Sequence, residues 1–175
     1  MPAMRVGFLA DTHGLFDPKL AELFRGCDLL LHAGDVTGGD VLAALAAIAP
    51  VRAVRGNNDH GPFGESLPEV ERVALEGLRT LVVHEARPED PAPRLRRLLG
   101  GEPFDLVVHG HSHKPGFSEQ GALLYLNPGS AGPRRFRLPR TACLATVRGR
   151  HLSARFWDLG SEPPVPYGEP LVRTL

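Results

Sequence analysis

Residues 104–113 read FDLVVHGHSH: a short run dominated by apolar residues that stops at a glycine carrying a histidine on either side and a third two residues further on. A run of this length bounded by turn residues reads as a buried strand, here Phe104–His109. The loop leaving that strand is unusual, because two more imidazoles, His111 and His113, crowd it. The same grammar recurs along the chain. RVGFLA (5–10) runs into Asp11-Thr12-His13-Gly14, and CDLLLHA (27–33) runs into Gly34-Asp35. VRAVR (51–55) runs into Gly56-Asn57-Asn58-Asp59, and LRTLVVH (78–84) ends at His84. In open α/β sheets ligands gather beyond the carboxyl ends of the strands, so these five loops are expected to meet at one edge.

Between these strands the pattern is helical. Pro18–Arg25 reads as a short amphipathic helix with Asp17 as its N-cap, and Asp40–Ala49 as a helix stopped by Pro50. Strands alternating with helices imply βαβ units and a largely parallel sheet. Glu69–Leu75 and Leu78–His84 flank Glu76-Gly77 as a hairpin, and Pro93–Leu99 resembles a helix ending at Gly100-Gly101. Ala122–Leu126, Ala142–Val147 and Leu152–Trp157 are further strand-like runs, so a second, mostly antiparallel sheet accompanies the first. The fold class is α/β: a layered β-sandwich of two mixed sheets flanked by helices. One domain is expected over 1–175, with its core at about 4–158 and a proline-rich surface tail over 162–175.

Composition limits the partners. The 175 residues carry no formal net charge, so nothing global attracts nucleic acid or an anionic membrane surface. No apolar stretch is long enough to span a bilayer, and the N-terminus lacks a signal-peptide pattern, so a cytoplasmic location is expected. Cys27 and Cys143 each lie in an apolar run without a metal-binding neighbour, and read as buried thiols. Arginine makes up 18 of the 20 basic residues, which dilutes the meaning of any single one.

The strand-end residues carry the chemistry. Asp and Asn oxygens mixed with His nitrogens suit Mn, Fe, Zn or Ni, and not a sulfur-rich structural zinc site. Asp11, His13, Asp35, Asn57, His84, His111 and His113 are too many donors for a single ion, but natural for two divalent ions sharing a bridge. After two aspartates and a bridging hydroxide are counted, such a cluster stays positive and attracts a phosphate oxyanion.

The order D-x-H, G-D, G-N, a lone His and G-H-x-H resembles the calcineurin-like metallophosphoesterases. The small size, the GNND box and Asn127-Pro128-Gly129-Ser130 are similar to the small bacterial and archaeal phosphodiesterase subfamily, which also includes the retromer subunit of eukaryotes. That resemblance implies one metal held by Asp11, His13 and His113 and a second by Asn57, His84 and His111. Asp35 would bridge them, and a bridging hydroxide would attack phosphorus in line. Manganese is the expected metal, with Fe, Zn or Ni as alternatives.

Two departures from the family pattern matter. Asn58 stands where larger members have a histidine. An amide can hydrogen-bond a phosphate oxygen but supplies no useful proton, which favours esters with good leaving groups or a slow enzyme, and so a diesterase over a general phosphatase. Glu85 stands where glycine is usual and adds a carboxylate near the site. Among the neighbours, His60 reads as an exposed loop histidine or a substitute proton donor, and Asp59 as a brace or a turn cap. His32 and His109 read as structural, Asn127–Ser130 as a turn behind the site, and Arg134, Arg135, Arg137 and Arg140 as a solvated loop in preference to a grip on a nucleotide phosphate. The function expected is hydrolysis of small or nucleotide-like phosphodiesters. The alternatives are a phosphomonoesterase with the same site, or a metal-binding protein scaffold with little turnover. A homo-oligomer is possible for such a chain, with no seam that identifies its interface.

Overall fold

The computed structural model describes residues 2–175. The chain opens with β1 (Met4–Leu9), α1 (Lys19–Leu23), β2 (Leu29–His32), α2 (Gly39–Ala46) and β3 (Val51–Ala53). A short helix, α3 (Gly61–Ser66), carries it to the hairpin of β4 (Val70–Leu75) and β5 (Leu78–Val83). Then come α4 (Pro93–Gly101), β6 (Leu106–Val108), β7 (Gly116–Gln120) and β8 (Leu123–Asn127). The last elements are β9 (Thr141–Arg148), β10 (His151–Asp158) and β11 (Val165–Thr174).

The strands form two sheets, ordered β11-β10-β9-β1-β2-β3 and β4-β5-β6-β8-β7. Strands β1, β2 and β3 are parallel, and β9, β10 and β11 add to them antiparallel. In the second sheet β5, β6 and β8 are parallel, with antiparallel edges at β4 and β7. The expected α/β sandwich of two mixed sheets is therefore present, but the division into one parallel and one antiparallel sheet is corrected. Local pattern tells that a strand exists. It does not tell that β9 will pair with β1, more than a hundred residues away, because that choice lies in tertiary contacts.

Alternation along each strand builds the layers. Val6, Phe8, Leu29 and Leu31 face inward and meet Leu106, Val108, Leu124 and Leu126 of the other sheet in one core. The intervening Leu9 and Leu30 face the opposite way, under Leu20 and Phe24 of the α1 segment and Leu45 of α2. On the far side Leu81, Val107 and Tyr125 lie under Leu95 of α4. Each sheet thus buries both faces, which is why its central strands read as unbroken apolar runs. A fully buried Leu or Phe of this kind stabilises the fold by about 1.5–3 kcal/mol.

The surface tail expected over 162–175 is corrected: residues Val165–Thr174 form β11, hydrogen-bonded along β10. Its pairing slips by a bulge opposite Ala154–Phe156, and Pro166 and Pro170 are tolerated because an edge strand needs no donors on its outer side. Only Leu171 of this strand is buried, so no alternation marked it. Strand β7 escaped notice for the same reason, being an edge with no fully buried residue. Asp17 is not the N-cap expected: α1 begins at Lys19 and Pro18 caps it, while Asp17, one residue earlier, accepts the Lys19 amide on Oδ1 at 3.0 Å. Among the described residues, no helix is long and apolar enough to cross a membrane.

Candidate metal centre

All five donor-bearing loops leave the carboxyl ends of strands β1, β2, β3, β5 and β6, and they are laced together. The Asp11 amide donates to the Gly34 carbonyl at 3.0 Å and the His13 amide to the Asp35 carbonyl at 3.0 Å. The Gly110 amide donates to the His84 carbonyl at 2.9 Å, and the His111 amide to Asp11 Oδ2 at 3.0 Å. Gly56 is what allows the third loop in. A Cβ there would lie 2.1 Å from Asp35 Oδ1 and 2.2 Å from the Asp35 amide nitrogen, so only hydrogen fits.

The seven sequence-derived donors meet in two groups. His13 Nε2 is 3.4 Å from His113 Nε2, and His113 Nε2 is 3.6 Å from Asp11 Oδ1. Beside them, His84 Nε2 and His111 Nδ1 both approach Asn57 Oδ1, at 2.8 and 3.0 Å. Asp35 lies between, with Oδ2 3.8 Å from His13 Nε2 and Oδ1 3.4 Å from His84 Nε2. Asp11 reaches toward both groups, since one donor atom each of Asp11, Asp35 and His84 also falls within 4.8 Å of the others.

These atoms are mostly acceptors facing acceptors. His84 Nδ1 lies 2.8 Å from the Ala33 carbonyl and must donate to it. Burial lowers His84, yet its hydrogen bonds to Asp35 and the Ala33 carbonyl outweigh that and raise it, so without an ion Nε2 carries a proton toward Asp35 and Asn57 that a cation would replace. Asp11 Oδ1 is buried without any hydrogen-bond partner among the described residues. Burial pushes the Asp11 carboxyl up to about 7. Burial also pushes His113 down to about 4 and lowers His13, Arg135 adding to both shifts by its positive charge. Asp35 moves the other way. Burial pushes it up, yet hydrogen bonds from His84 and Asn58 together outweigh that and hold it well below the usual carboxylate range. Buried acceptors short of protons are what divalent cations satisfy, so the donor set fits two such ions.

The backbone is bent for this purpose. Of the eight non-glycine residues with positive φ among the described residues, five are donors: Asp11 (55°), His13 (47°), Asp35 (55°), His111 (69°) and His113 (59°). Left-handed backbone costs a non-glycine residue about 1–2 kcal/mol, so its concentration here marks a site over-determined by its surroundings.

Those surroundings are legible atom by atom. His32 is fully buried; its Nδ1 accepts the Gly34 amide at 3.2 Å, which leaves Nε2–H to donate to Thr12 Oγ1 at 2.9 Å. It thereby ties the first two donor loops, and burial pushes it down to about 3, so it is neutral. Asp59 braces the next pair, accepting the Thr37 and Gly56 amides at 2.7 Å each. Behind the site Asn127 Nδ2 donates to the Gly110 carbonyl at 3.0 Å and Ser130 Oγ to the Asp11 carbonyl at 2.9 Å. His109 packs edge-on against Tyr125, a structural contact.

Asn58 is engaged by Asp35 on two sides: its amide donates to Oδ1 at 2.8 Å and its Nδ2 to Oδ2 at 2.7 Å. His60 is exposed at the N-terminus of α3 and forms no side-chain cap. Glu85 is exposed and paired with Arg87 at 2.9 Å. The arginine loop divides. Arg140 is structural, holding the Gly132 carbonyl and Asp17, whereas Arg135 places its charge where Asp11, His13 and His113 feel it. Arg135 is the residue whose place beside the donors the sequence does not single out from its loop. In a chain with so many arginines, no local signal separated it from its neighbours.

Comparison with known proteins agrees with this geometry. The family model described as the calcineurin-like phosphoesterase superfamily domain matches residues 4–150. A protein of Methanothermobacter thermautotrophicus named a probable metallophosphoesterase is 32% identical over 164 residues, covering 90% of this chain and 94% of that one. A phosphodiesterase of Methanocaldococcus jannaschii is 24% identical, over 83% of this chain and 95% of its own. Among solved structures, wild-type Vps29 of Entamoeba histolytica, in complex with zinc, superposes with a TM-score of 0.77. It is 22% identical and covers 97% of this chain and 99% of its own, a likeness of fold.

Proposed function

This chain belongs to the calcineurin-like phosphoesterase superfamily, a metal-dependent phosphoesterase by family and donor set, and on that premise we propose that it hydrolyses small or nucleotide-like phosphodiesters. The observation that carries the proposal is Asp35, which turns one carboxylate oxygen to each of two donor groups. In this reading Asp11, His13 and His113 would hold one ion and Asn57, His84 and His111 the other, with Asp35 shared between them. Manganese suits these oxygen and nitrogen donors; iron, zinc and nickel do so as well. Such ions supply an activated water and neutralise charge on the phosphoryl oxygens.

The rest of the work falls to the chain. Arg135, exposed at the rim, adds positive charge on the Asp11 side and draws the anionic ester in. Asn58 fixes the Asp35 carboxylate through both its amide groups, and as an amide it has no proton to give a leaving alkoxide. Esters that leave without protonation are therefore favoured. The homologous phosphodiesterase supports a diester substrate, while the Vps29 likeness favours the rival reading of a binding scaffold.

The test reloads metal-free protein with manganese and follows bis(p-nitrophenyl) phosphate against p-nitrophenyl phosphate. The expected result is metal-dependent turnover that prefers the diester and falls at least a hundredfold in Asp35→Asn. Turnover indifferent to Asp35→Asn would sink the mechanism. Tight metal binding without turnover of either ester would establish the scaffold.

A further inference from the structure

A cleft of about 550 Å³ opens directly off the candidate metal centre, beginning at Asn57 and His84 and running outward beneath α4. Its size falls in the roughly 300–1,000 Å³ range of pockets that take small organic ligands. Four aliphatic side chains form its walls: Val70 and Val83, paired across the β4–β5 hairpin, and Leu95 and Leu98 from α4. Val83 and Leu95 belong to the core under α4, so this wall is firmly backed.

The charges around the mouth are almost all spent on one another. Arg94 pairs with Glu69, tying α4 to the start of β4, and Glu85 pairs with Arg87. Arg55 differs. Its Nε donates to the Asp59 carbonyl at 3.2 Å, while its terminal nitrogens meet no protein acceptor among the described residues. The cleft therefore offers an apolar floor, a rim of neutralised pairs and one uncommitted guanidinium near the metal end. A bare phosphate or a methyl ester would leave that floor wet. A flat ring system would cover it, and an attached sugar's oxygens would reach Arg55.

We propose that this cleft is the seat of the substrate's retained ester group and that it selects a nucleoside. The inference rests on the phosphodiesterase reading given above, and it narrows the substrate class to nucleoside 5′-phosphodiesters.

Two substrates with the same leaving group separate it: thymidine 5′-monophosphate p-nitrophenyl ester and methyl p-nitrophenyl phosphate. With manganese-loaded protein, kcat/KM for the nucleoside ester should exceed that for the methyl ester at least tenfold. Leu98→Trp, which fills the cleft from the half-buried face of α4, should pull that ratio at least tenfold toward unity. Leu98→Ala, which strips apolar wall from the cleft and does not fill it, should lower the ratio as well and serves if the larger variant folds poorly. A ratio near unity in the wild type, or a ratio untouched by both variants, would overturn the proposal. Binding is read independently by titrating thymidine 5′-monophosphate into isotope-labelled protein and following the methyl resonances of Val70, Leu95 and Leu98. If those methyls shift while neither ester is turned over, the cleft assignment stands and the catalytic reading falls. If both esters are hydrolysed alike and the methyls stay still, the cleft assignment falls and the catalytic reading stands.

Discussion

Gly56→Ala is the sharpest perturbation that the structure suggests, because it adds one methyl group against the carboxylate on which the whole site turns. The new Cβ would lie 2.1 Å from Asp35 Oδ1 and 2.2 Å from the Asp35 backbone nitrogen. An ordinary carbon–oxygen contact needs about 3.2 Å or more, so the two loops must part by about 1 Å. The clash includes backbone, and Asp35 is further pinned by Asn58, so no side-chain rotation relieves it. Overpacking of this kind costs about 1–3 kcal/mol, offset by about 0.4–1 kcal/mol from the stiffer unfolded chain. A net loss of about 1–2 kcal/mol should appear in urea unfolding of the metal-free protein. The larger effect is on the ions, since donor distances tolerate only about 0.2 Å. Calorimetric titration with manganese should show at least one site weakened by two orders of magnitude or lost, with turnover falling in step. Gly100→Ala is the control: nothing lies within 4 Å of its added Cβ, and the helix should gain up to about 1 kcal/mol. Wild-type metal affinity at both sites in Gly56→Ala would refute the claim that the packing of Asp35 against Gly56 sets the bridge.

Other parts of the molecule carry three more predictions. His32 is buried neutral at about 3 against an ordinary 6.5, so the unfolded chain binds the extra proton below pH 6.5. Its contribution is complete above that pH and fades as pH falls toward 3, by about 1.4 kcal/mol per unit. Asp11, His109 and His113 titrate over the same range, so the check is the stability difference between metal-free wild type and His32→Gln, which should shrink from pH 7 to 5; a constant difference would contradict this. Asp105 is held well below the usual carboxylate range by hydrogen bonds from Arg79 and Arg150, which tie the two sheets at one end. Because both arginines are about half exposed, Asp105→Asn should cost only about 1–2 kcal/mol above pH 4 and flatten the loss of stability below it, as read by denaturation across pH 2.5–7. Removing metal with a chelator should lower the melting temperature by about 5–10 °C per site occupied at a hundredfold excess over its Kd, with recovery on adding manganese. An unchanged melting temperature would mean that the donors hold nothing.

The sequence made most of the donor cluster readable for a simple reason. Most donors come after a strand whose two faces are both buried, so a polar residue at its end stands out sharply, as at Leu9-Ala10-Asp11 and Val82-Val83-His84. Asn57 follows the edge strand β3, where Arg52 is exposed. The features that stayed concealed lacked that contrast. Strand β11 buries only Leu171 and carries two prolines, so its hydrogen bonds to β10 left no hydrophobic trace. The pairing of β9 with β1 depends on residues far apart in the chain. Asn58 stands out in the sequence as a departure from the family pattern, but its grip on Asp35 depends on a loop-to-loop approach that Gly56 permits. Arg135 was hidden among its own kind.

The left-handed backbone at Asp11, His13, Asp35, His111 and His113 also bears on how such a chain would age through generations of substitution. Glycine sits more comfortably than aspartate or histidine in that conformation. At these five positions the easiest mutations to fold are therefore ones that discard a donor. A lineage released from hydrolysis would slide toward them without any folding penalty to hold it back. Experimental evolution of this chain selected for solubility alone should thus shed His13 and His113 early, whereas selection for turnover should keep them against the pull of stability.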